Sequence, residues 1–426
     1  MQSTYLTARE TAERLGIKRD TLYAYVSRGL LHSVAVPGSR ERGYRAEDVE
    51  RLRSGRGLSR AARNEPLVAV IDSSICLIEG GRLYYRGHDA IRLAETATLE
   101  EIADLLWAKG VSTFGKDPHP AIALATATLA RSAGEGKKRR AAKPLSRMAG
   151  EGAGGRRPKA GEGTPPLGLI ERCQIRLAEL AAADLAALDL TPAGIARTGR
   201  TILYDLAACV GDTAPASEPV HRQLAALWKL DDQGADLIRR CLVLLADHEL
   251  NASTFVARCV ASTGATPYAV VSGALAALSG RRHGGASARA EALFHDIARH
   301  GDPLAVMAAR LARDEHLPGL GHPLYPDGDP RADALLAAAT TAVPASRPLV
   351  EAAVAGAQRL SGQRPNVDFA LAAATTALGL PQGAALSLFV VGRAVGWIAH
   401  AIEQYQSDVL IRPRARYTGP QPVAAD

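Results

Sequence analysis

Residues 369–392 read FALAAATTALGLPQGAALSLFVVG, a run of 24 residues without a charged side chain. The run is long enough to cross a bilayer, but it is rich in Ala, Ser and Thr rather than in Leu and Ile. The segment GLPQG interrupts it, and Gly and Pro both tend to end helices. We therefore predict buried helices at a domain core or subunit interface and no membrane span. The uncharged residues 259–280, interrupted by Pro267, receive the same interpretation.

The composition fits a helical protein of two or three domains. The chain has 426 residues, of which 47% are hydrophobic, 22% are charged and only 4% are aromatic. That length is sufficient to bury a sizeable core. Scarce aromatic residues and abundant Ala suit closely packed helices better than a sheet. The expected fold class is mainly α.

The net charge of +7 is unevenly distributed along the chain. Residues 1–64 hold 13 basic and 7 acidic side chains, and residues 134–167 hold 9 basic and 3 acidic ones. The remainder is mildly acidic, so any contact with nucleic acid belongs to the N-terminal segment. Residues 134–167 are rich in Gly, Pro, Lys and Arg, which predicts a disordered insert in a surface loop.

The cysteines favour a reducing compartment. Their number is five, which is odd, and no CxxC pair occurs. Reduced thiols in a cytoplasmic protein are the plain interpretation. The N-terminal segment MQSTYLTARE has no apolar signal core. We therefore expect a cytoplasmic location.

Residues 1–56 are predicted to form a separate domain, joined to the body by a linker over residues 57–67. The segment TARE, residues 7–10, is a capping box at the start of a helix that ends at Gly16. A second helix, RDTLYAYVSRG, follows a very short turn. The segment SRERGYRAEDVERLR then indicates a wing and a third helix. Helix, tight turn, helix and wing form a winged helix-turn-helix.

These segments resemble the MerR-type DNA-binding head over residues 4–53. In such a head the second helix enters the major groove, while basic side chains hold phosphates. The resemblance implies DNA contacts by Lys18, Arg19, Thr21, Tyr25 and Arg42. The alternative is a retained module that mediates other contacts or none.

The body begins with a predicted β-hairpin. Residues 67–89 alternate apolar and polar positions on both sides of Gly80 and Gly81. Two strand-like runs across a Gly-Gly pair are typical of a hairpin. From residue 98 onward the pattern is almost entirely helical.

Several segments of the C-terminal half gather His, Asp and Arg among small residues. His248 lies in a helical-looking run and, taken alone, is better explained as a satisfied buried histidine. His283 precedes two glycines, which allow backbone and ligand to approach closely. Asp368 opens the uncharged run, where burial would raise its pKa towards that of a general base. A metal site is not expected, because no HExxH occurs and the histidines lack ligand spacing.

Six motifs connect these residues in one order: RLYYRGHD, ADHELNASTF, HGGA, GHPLYPDGDPR, PNVDF and GRAVGWIAH followed by IRPRARYTG. From about Val68 to Pro420, apart from the insert, the chain resembles the citrate synthase family. The resemblance implies condensation of acetyl-CoA with oxaloacetate, followed by thioester hydrolysis to citrate and CoA. It implies no cofactor, since acetyl-CoA is a substrate.

The resemblance also implies a role for each matching residue. Asp368 would take a proton from the acyl-CoA methyl carbon, while His283 would donate a hydrogen bond to the thioester oxygen. His322 would bind the 2-oxo carbonyl of oxaloacetate and protonate it. The groups implied to hold oxaloacetate carboxylates are His248, Arg331, Arg393 and, from a second subunit, Arg412.

The family fold is nearly all helical and has two domains. The implied large domain comprises residues 68–286 and 376–426, and the implied small domain, residues 287–375, closes on substrate. The shared arginine makes a homodimer the minimal active unit.

The sequence departs from the family pattern at a few positions. Ser287 stands where the family usually has Asn, and "FALA" replaces the usual Tyr-Ser-Gly after PNVD. Pro323 and Pro326 stand where basic residues commonly help to hold CoA phosphates. We therefore expect CoA to be bound less tightly or in another way.

Three functions remain open. The first is a citrate synthase. The second is a relative with another acyl-CoA or direction, namely a 2-methylcitrate synthase or a citryl-CoA lyase, since one methylene is worth only ~1–3 kcal/mol. The third is a DNA-binding regulator that uses this fold to sense a metabolite.

Overall fold

The computed structural model divides into two compact units, Met1–Asp72 and Ser73–Asp426. The expected mainly α fold class is confirmed, since the regular structure of the described residues consists of helices and six short strands. The described part of the chain comprises residues 5–16, 22, 33–35, 42–46, 49, 71–107, 167–413, 415 and 418–419. The predicted linker and all but the last residue of the predicted insert lie outside it.

The first unit contains a three-stranded antiparallel sheet. Its central strand β3 (Arg42–Arg45) pairs with β1 (Tyr5–Leu6) on one side and with β2 (Ser33–Ala35) on the other. Strand β3 lies in the segment that predicts the wing. The small core of this unit is formed by buried side chains from Leu6, Ala12, Leu22, Tyr44 and Val49.

Helix α1 (Ala8–Leu15) begins and ends where the sequence predicts. The Thr7 hydroxyl accepts a hydrogen bond from the Glu10 N–H, and the Glu10 carboxylate accepts one from the Thr7 N–H at 2.8 Å. This reciprocal pair is the predicted capping box. Gly16 follows the helix with a left-handed φ of 65°, which ends it.

The predicted DNA contacts remain predictions. Lys18, Arg19, Thr21 and Tyr25 lie outside the described residues, as does the predicted second helix apart from Leu22. The backbone of Arg42 belongs to β3.

The predicted hairpin opens the second unit. Strand β4 (Cys76–Glu79) pairs with β5 (Arg82–Tyr85), and β5 also pairs with β6 (His88–Asp89). Gly80 and Gly81 have φ values of 57° and 72°. A two-residue turn with both φ values positive matches the twist of the strands and favours glycine. The hairpin prediction is confirmed.

The remainder of the second unit is helical in the described residues. The helices are α2 (Ala90–Thr96), α3 (Leu99–Trp107), α4 (Leu169–Ala183), α5 (Pro192–Gly211), α6 (Val220–Leu227), α7 (Asp232–Leu245), α8 (Ala252–Ala261), α9 (Pro267–Leu278), α10 (Gly284–His300), α11 (Pro303–Leu311), α12 (Pro330–Ala342), α13 (Arg347–Ser361), α14 (Val367–Ala377) and α15 (Ala384–Ser407). Short 3₁₀ turns lie at Leu185–Leu188 and Pro344–Ser346. Many helices begin at an Asp, Asn or Thr cap, whose oxygen satisfies a free N–H group.

Helix α15 is a core helix. It is long and apolar enough to cross a membrane, and it is the one helix of the described residues that meets that test, yet 94% of its most apolar window is buried. The GLPQG segment separates it from α14, as predicted. Its first N–H groups are satisfied by α10, where the Glu291 carboxylate accepts hydrogen bonds from Gly383 (3.0 Å) and Ala385 (2.8 Å).

Two glycines bring α15 against the C-terminal end of α7. A Cβ on Gly396 would lie 2.3 Å from Asp247 Oδ2 and 2.4 Å from the Ala246 carbonyl oxygen. A Cβ on Gly392 would lie 2.9 Å from the Leu242 carbonyl oxygen. The Gly396 N–H donates to the Ala246 carbonyl at 2.9 Å. Any larger residue would push the two elements apart.

Gly396→Ala is expected to lower the free energy of unfolding by about 2–3 kcal/mol, because the added methyl meets backbone and a buried carboxylate. Denaturant unfolding measures the change. The matched control is Gly356→Ala in α13, where the nearest atom to the new Cβ is the Met307 sulfur at 3.6 Å. That variant should be as stable as the parent or up to about 1 kcal/mol more stable. Equal stability of the two variants would contradict the close-contact argument.

Candidate active site

The glycine-rich loop at residues 319–322 pairs with residues 364–366. The two segments form an isolated antiparallel bridge, and the Asn366 N–H donates to the Gly319 carbonyl at 2.9 Å. The Asn366 side chain then caps α14 by accepting a hydrogen bond from the Asp368 N–H at 3.0 Å. The pairing therefore joins the histidine loop to the helix that carries Asp368.

Asp329, which precedes α12, forms a second connection to the start of α14. Its carboxylate accepts hydrogen bonds from Arg331 Nε (3.0 Å), Arg331 Nη2 (2.8 Å) and the Val367 N–H (3.1 Å). Asp329 and Arg331 are 1% and 2% exposed, so each buried charge depends on the other. The two-pronged contact fixes the direction of the Arg331 guanidinium. Asp329 was not among the predicted site residues, although an acid two residues before a candidate arginine is a signal that the sequence contains.

The geometry of His322 assigns its ring proton. Its Nδ1 accepts a hydrogen bond from the Leu324 backbone N–H at 3.1 Å. A neutral imidazole carries its proton on the other nitrogen, so Nε2 is the donor. The ring centroid of His322 lies 5.1 Å from that of His248 and 5.2 Å from that of Tyr325. His322 therefore presents an N–H group beside a second buried imidazole.

His248 lies in a loop between α7 and α8, not in a helix as its surroundings suggested. Helix α7 ends at Leu245, and the residue after His248, Glu249, has a left-handed φ of 51°. Its carboxylate accepts a hydrogen bond from the Ile78 N–H of β4 at 3.1 Å, which ties the loop to the hairpin. His248 Nε2 lies 3.1 Å from the Tyr325 hydroxyl.

Buried polar side chains of α8 and α15 stabilise the loop that carries His248. His400 Nδ1 lies 3.0 Å from Arg258 Nη1, and an arginine can only donate, so the ring proton of neutral His400 is on Nε2. That nitrogen lies 3.3 Å from Asp247 Oδ2, close enough for an electrostatic contact but not aligned as a hydrogen bond. Arg258 also pairs with Glu403 at 3.0 Å. The residue before His248 is therefore anchored to α15.

His283 precedes the first residue of α10 and contacts Ser253, which was not among the predicted site residues. The Ser253 hydroxyl lies 2.8 Å from His283 Nε2, 2.8 Å from Asn251 Oδ1 and 3.2 Å from Trp397 Nε1. Tryptophan only donates and the Asn251 carbonyl oxygen only accepts, so the single serine proton goes to Asn251 in this arrangement and reaches His283 only if the hydroxyl turns. When it points to His283, the histidine proton sits on Nδ1 and is available to an oxyanion.

Asp368 is held by Ser287, a residue that the sequence marked only as a departure from the family pattern. The Ser287 hydroxyl of α10 donates to Asp368 Oδ1 at 2.5 Å. Burial raises the pKa of Asp368, while the Ser287 hydrogen bond and the charge of Arg331 oppose the rise. Asp368 is half-buried, so its carboxyl group is surrounded by protein atoms but not completely enclosed. A base that must reach a substrate requires this partial exposure.

Arg393 is a buried cation without a full set of partners. Its Nε donates to the Leu245 carbonyl at 2.7 Å, and its guanidinium lies 4.8 Å from the Phe389 ring. Its buried Nη1 has no hydrogen-bond partner among the described residues. An unsatisfied buried guanidinium is costly, and a carboxylate ligand would satisfy it.

The three histidines of the cluster are neutral at pH 7. Burial, followed by the charge of Arg393, lowers the pKa of His283 to about 4. Burial and then the charge of Arg331 lower the pKa of His322. Burial and both arginines hold the pKa of His248 well below its ordinary value. Neutral imidazoles can donate hydrogen bonds without carrying charge into the site.

The structure brings together six of the seven residues implied as catalytic or carboxylate-binding groups. They are His248, His283, His322, Arg331, Asp368 and Arg393, which contact one another or shift one another's pKa. The seventh, Arg412, is exposed beyond α15, and no hydrogen bond among the described residues links it to the cluster.

Other features do not mark a competing site. The described residues contain no group of three or more His, Cys, Asp or Glu side chains that could hold a metal ion. A cavity of about 540 Å³ between α2, α7 and α12 is lined by residues such as Leu237 and Leu335, and by none of the six clustered residues.

Fold and site together define a mainly α protein in which a buried carboxyl group, neutral imidazoles and buried guanidinium groups converge. The family model described as "Citrate synthase, C-terminal domain" matches residues 177–414, more than half of the chain. The chain belongs to the citrate synthase family, which confirms the resemblance. A second family model, "Helix-turn-helix domain", matches residues 5–57.

Curated relatives align with less than half of the chain. Citrate synthase of Haloferax volcanii is 41% identical over 191 residues, which is 43% of this chain and 50% of the relative. Citrate synthase 2 of Bacillus subtilis is 36% identical over 190 residues, or 43% and 51%. 2-Methylcitrate synthase of Mycobacterium tuberculosis is 39% identical over 186 residues, or 42% and 47%. The chain spans about half the length of the curated relatives it matches.

Solved structures share the fold over most of the chain. Citrate synthase from Thermotoga maritima superposes with a TM-score of 0.61 at 25% identity, covering 84% of this chain and 96% of that one. A ternary complex of the Thermoplasma acidophilum enzyme with carboxymethyl coenzyme A and oxaloacetate gives 0.61 at 22% identity, covering 87% and 97%. The second likeness concerns the fold alone.

The low pKa of His283 predicts acid sensitivity. A histidine with a pKa of about 4 when folded and 6.5 when exposed binds its proton more readily in the unfolded chain. Its contribution to stability is therefore complete above pH 6.5 and is lost as the pH falls towards 4. Between pH 7 and pH 5 the loss is about 2 kcal/mol.

His283→Gln should reduce the fall in unfolding free energy between these pH values by about that amount. Denaturant unfolding at pH 7, 6 and 5 measures it. His316→Gln, at an exposed position, is the control and should keep the parent's decline. A decline in His283→Gln as steep as the parent's would contradict the neutral buried histidine.

Proposed function

We propose that the chain condenses acetyl-CoA with oxaloacetate to give citrate and CoA. The observation that carries this proposal is that the Asp368 carboxyl group and the neutral imidazole of His283 both lie within the electrostatic influence of Arg393, a buried guanidinium group whose Nη1 has no partner among the described residues. Abstracting a proton next to a thioester requires a base and an oxygen stabiliser that act together. The reaction requires no cofactor, because acetyl-CoA is itself a substrate.

Enolisation is the first step of this proposal. Asp368 takes a proton from the methyl carbon of acetyl-CoA, and the C–H electron pair moves into the developing enolate. His283 donates its Nδ1 proton in a hydrogen bond to the thioester oxygen once the Ser253 hydroxyl turns from Asn251 and donates to His283 Nε2. A donor aimed at a developing oxyanion contributes roughly 3–4 kcal/mol. A neutral donor fits this role better than an imidazolium. Because the pKa of His283 is about 4, its protonation state, and with it the strength of its hydrogen bond, stays constant near neutral pH.

Carbon–carbon bond formation is the second step. His322 holds the 2-oxo carbonyl through Nε2–H and protonates the oxygen as the enolate carbon attacks. The carboxylates of oxaloacetate bind His248, Arg331 and Arg393, whose Nη1 then gains its missing partner. A buried site for a dianion requires such cationic groups, because burying the dianion alone is prohibitive. Water then hydrolyses the thioester to citrate and CoA.

Two finer parts of this proposal are the acyl-CoA that is used and the direction in which the reaction runs. The relatives include both citrate synthases and a 2-methylcitrate synthase, so propionyl-CoA is the first rival substrate. The same groups also catalyse the reverse cleavage, which makes a citryl-CoA lyase the other rival. We also propose a cytoplasmic homodimer in which Arg412 enters the partner's site. All five cysteines are unpaired, which fits a reducing compartment.

DNA binding by a metabolite-sensing regulator is the second candidate function. It is favoured by the match of residues 5–57 to a helix-turn-helix family model and by the basic charge of residues 1–64. The clustered Asp368, His283 and His322 count against a protein that only senses, because sensing requires binding groups but no base.

Asp368→Asn is expected to lower kcat for CoA release by about 10²–10⁴-fold, because the base is lost while the shape is kept. The assay follows the CoA thiol with oxaloacetate and either acetyl-CoA or propionyl-CoA. The control is Ser387→Ala, which removes a buried hydroxyl that bonds only the Gly383 carbonyl. Turnover with propionyl-CoA alone would favour 2-methylcitrate formation, and no turnover with either ester would refute the synthase.

Replacing Lys18 and Arg19 by Glu in the full chain should weaken DNA binding and reduce the slope of log K against log salt by about 2. Electrophoretic mobility shifts at several salt concentrations measure the slope. The control replaces Arg299 and Arg359, two exposed arginines of the body, by Glu. If both double variants lose the same affinity, the binding is a general charge effect and the head is not a DNA reader.

A further inference from the structure

We propose that Ser287 is a positioning residue that holds one oxygen of the Asp368 carboxyl group and leaves the other oxygen to act as the base. The proposal rests on the proposed function, because it refines the role of that carboxyl group. It concerns a position where the sequence departs from the family pattern, since Asn is usual there.

The hydrogen bond is short and enclosed. The Ser287 hydroxyl lies 2.5 Å from Asp368 Oδ1, and Ser287 is 0% exposed. A serine inside a helix commonly turns its hydroxyl back to the carbonyl four residues earlier, which here belongs to His283. Ser287 instead points across to α14. Because its single proton is donated to Oδ1, that oxygen is occupied and oriented.

The two helices that carry this pair are packed rigidly together. The Phe294 ring of α10 and the Phe369 ring of α14 meet edge to face with centroids 4.7 Å apart. Asp368 is further fixed by its own N–H, which donates to the Asn366 side chain. A hydroxyl on a rigid neighbouring helix can therefore define the orientation of the carboxyl plane.

Ser287 also couples the base to the oxygen stabiliser. His283 lies immediately before α10, and Ser287 lies one turn into the same helix. The N-terminal end of α10 therefore carries two groups. One is the His283 imidazole proposed to bind the thioester oxygen, and the other is the Ser287 hydroxyl that orients the Asp368 carboxyl group towards the methyl carbon. A shift of α10 would move both groups together.

The charged and polar groups that influence Asp368 come from three directions. Burial raises the pKa of Asp368, and Ser287 from α10 opposes the rise most strongly among its neighbours. Arg331 at the start of α12 also lowers this pKa, Asp329 raises it, and Arg393 of α15 lowers it. Removing the serine hydroxyl therefore raises the pKa of Asp368 and reduces the fraction present as carboxylate.

The test compares Ser287→Ala, Ser287→Cys and Ser287→Asn with the parent chain. In Ser287→Ala the acid limb of the pH profile of kcat should move up by about one pH unit. Its kcat should fall by up to about tenfold at pH values below the acid limb of the parent, while KM for oxaloacetate stays within twofold. Ser287→Asn restores an amide donor and should recover the acid limb. Ser287→Cys fills the serine's space with a weak donor and should lie between the two.

A second measurement does not depend on turnover. Carbon-13 NMR of carboxyl-labelled Asp follows the titration of Asp368, which is assigned by its disappearance in Asp368→Asn. The titration should move to higher pH in Ser287→Ala and should not move in the control Ser387→Ala. If the parent chain has no synthase activity but this shift is present, the proposed function fails while the hydrogen bond stands.

Two outcomes would overturn the positioning role. One is a Ser287→Ala titration of Asp368 that coincides with that of the parent. The other is a tenfold loss of kcat with an unmoved acid limb and no recovery in Ser287→Asn, which would make Ser287 a packing residue. If Ser287→Ala does not fold, Ser287→Cys supplies the same comparison at nearly constant volume.

Discussion

The contact between Gly396 of α15 and the end of α7 is the constraint on which the site depends. The Gly396 N–H donates to the Ala246 carbonyl, and the glycine leaves room for the Asp247 carboxylate where a Cβ would otherwise lie. Because α15 comes this close, Arg393 reaches the Leu245 carbonyl from one side of that point. His400 reaches Asp247 from the other. One backbone contact thus positions both a carboxylate-binding arginine and the loop that presents His248.

The charges of the site show why it suits an anionic ligand. Arg331 is satisfied internally by Asp329, whereas Arg393 keeps a buried nitrogen without a partner among the described residues. Burial lowers the pKa of Arg393, because keeping its positive charge away from water is unfavourable. A bound carboxylate would offset this cost, and the neutral histidines add hydrogen-bond donors without further positive charge. The protein therefore holds a destabilised cation where the substrate is proposed to bind.

Local sequence signals predicted the local structure well. The capping box of α1, the Gly-Gly hairpin and the break at GLPQG each depend on a few neighbouring residues, and each is confirmed. The helical interpretation around His248 was wrong: α7 ends at Leu245, and the loop that follows includes the left-handed Glu249, whose carboxylate is tied to the hairpin. That tie joins residues 171 positions apart, and no local pattern encodes it. The motif order led to the family, but the roles of its residues stay predictions.

The contacts of Ser253 with His283 and of Ser287 with Asp368 escaped prediction for the same physical reason, although Ser287 was noted as a departure from the family pattern. Each serine contacts a residue 30 or 81 positions away, and serine is common enough that its type alone carries no signal. A hydroxyl has one proton to give. At Ser253 that proton decides which nitrogen of His283 remains a donor, and at Ser287 it decides which oxygen of Asp368 remains a base. Enolisation requires both choices at once, with a donor at the thioester oxygen and an acceptor at the methyl carbon. Because Ser253 lies on α8 and contacts His283, which immediately precedes α10 and Ser287, the relative positions of these two helices set the proton positions at His283 and Asp368.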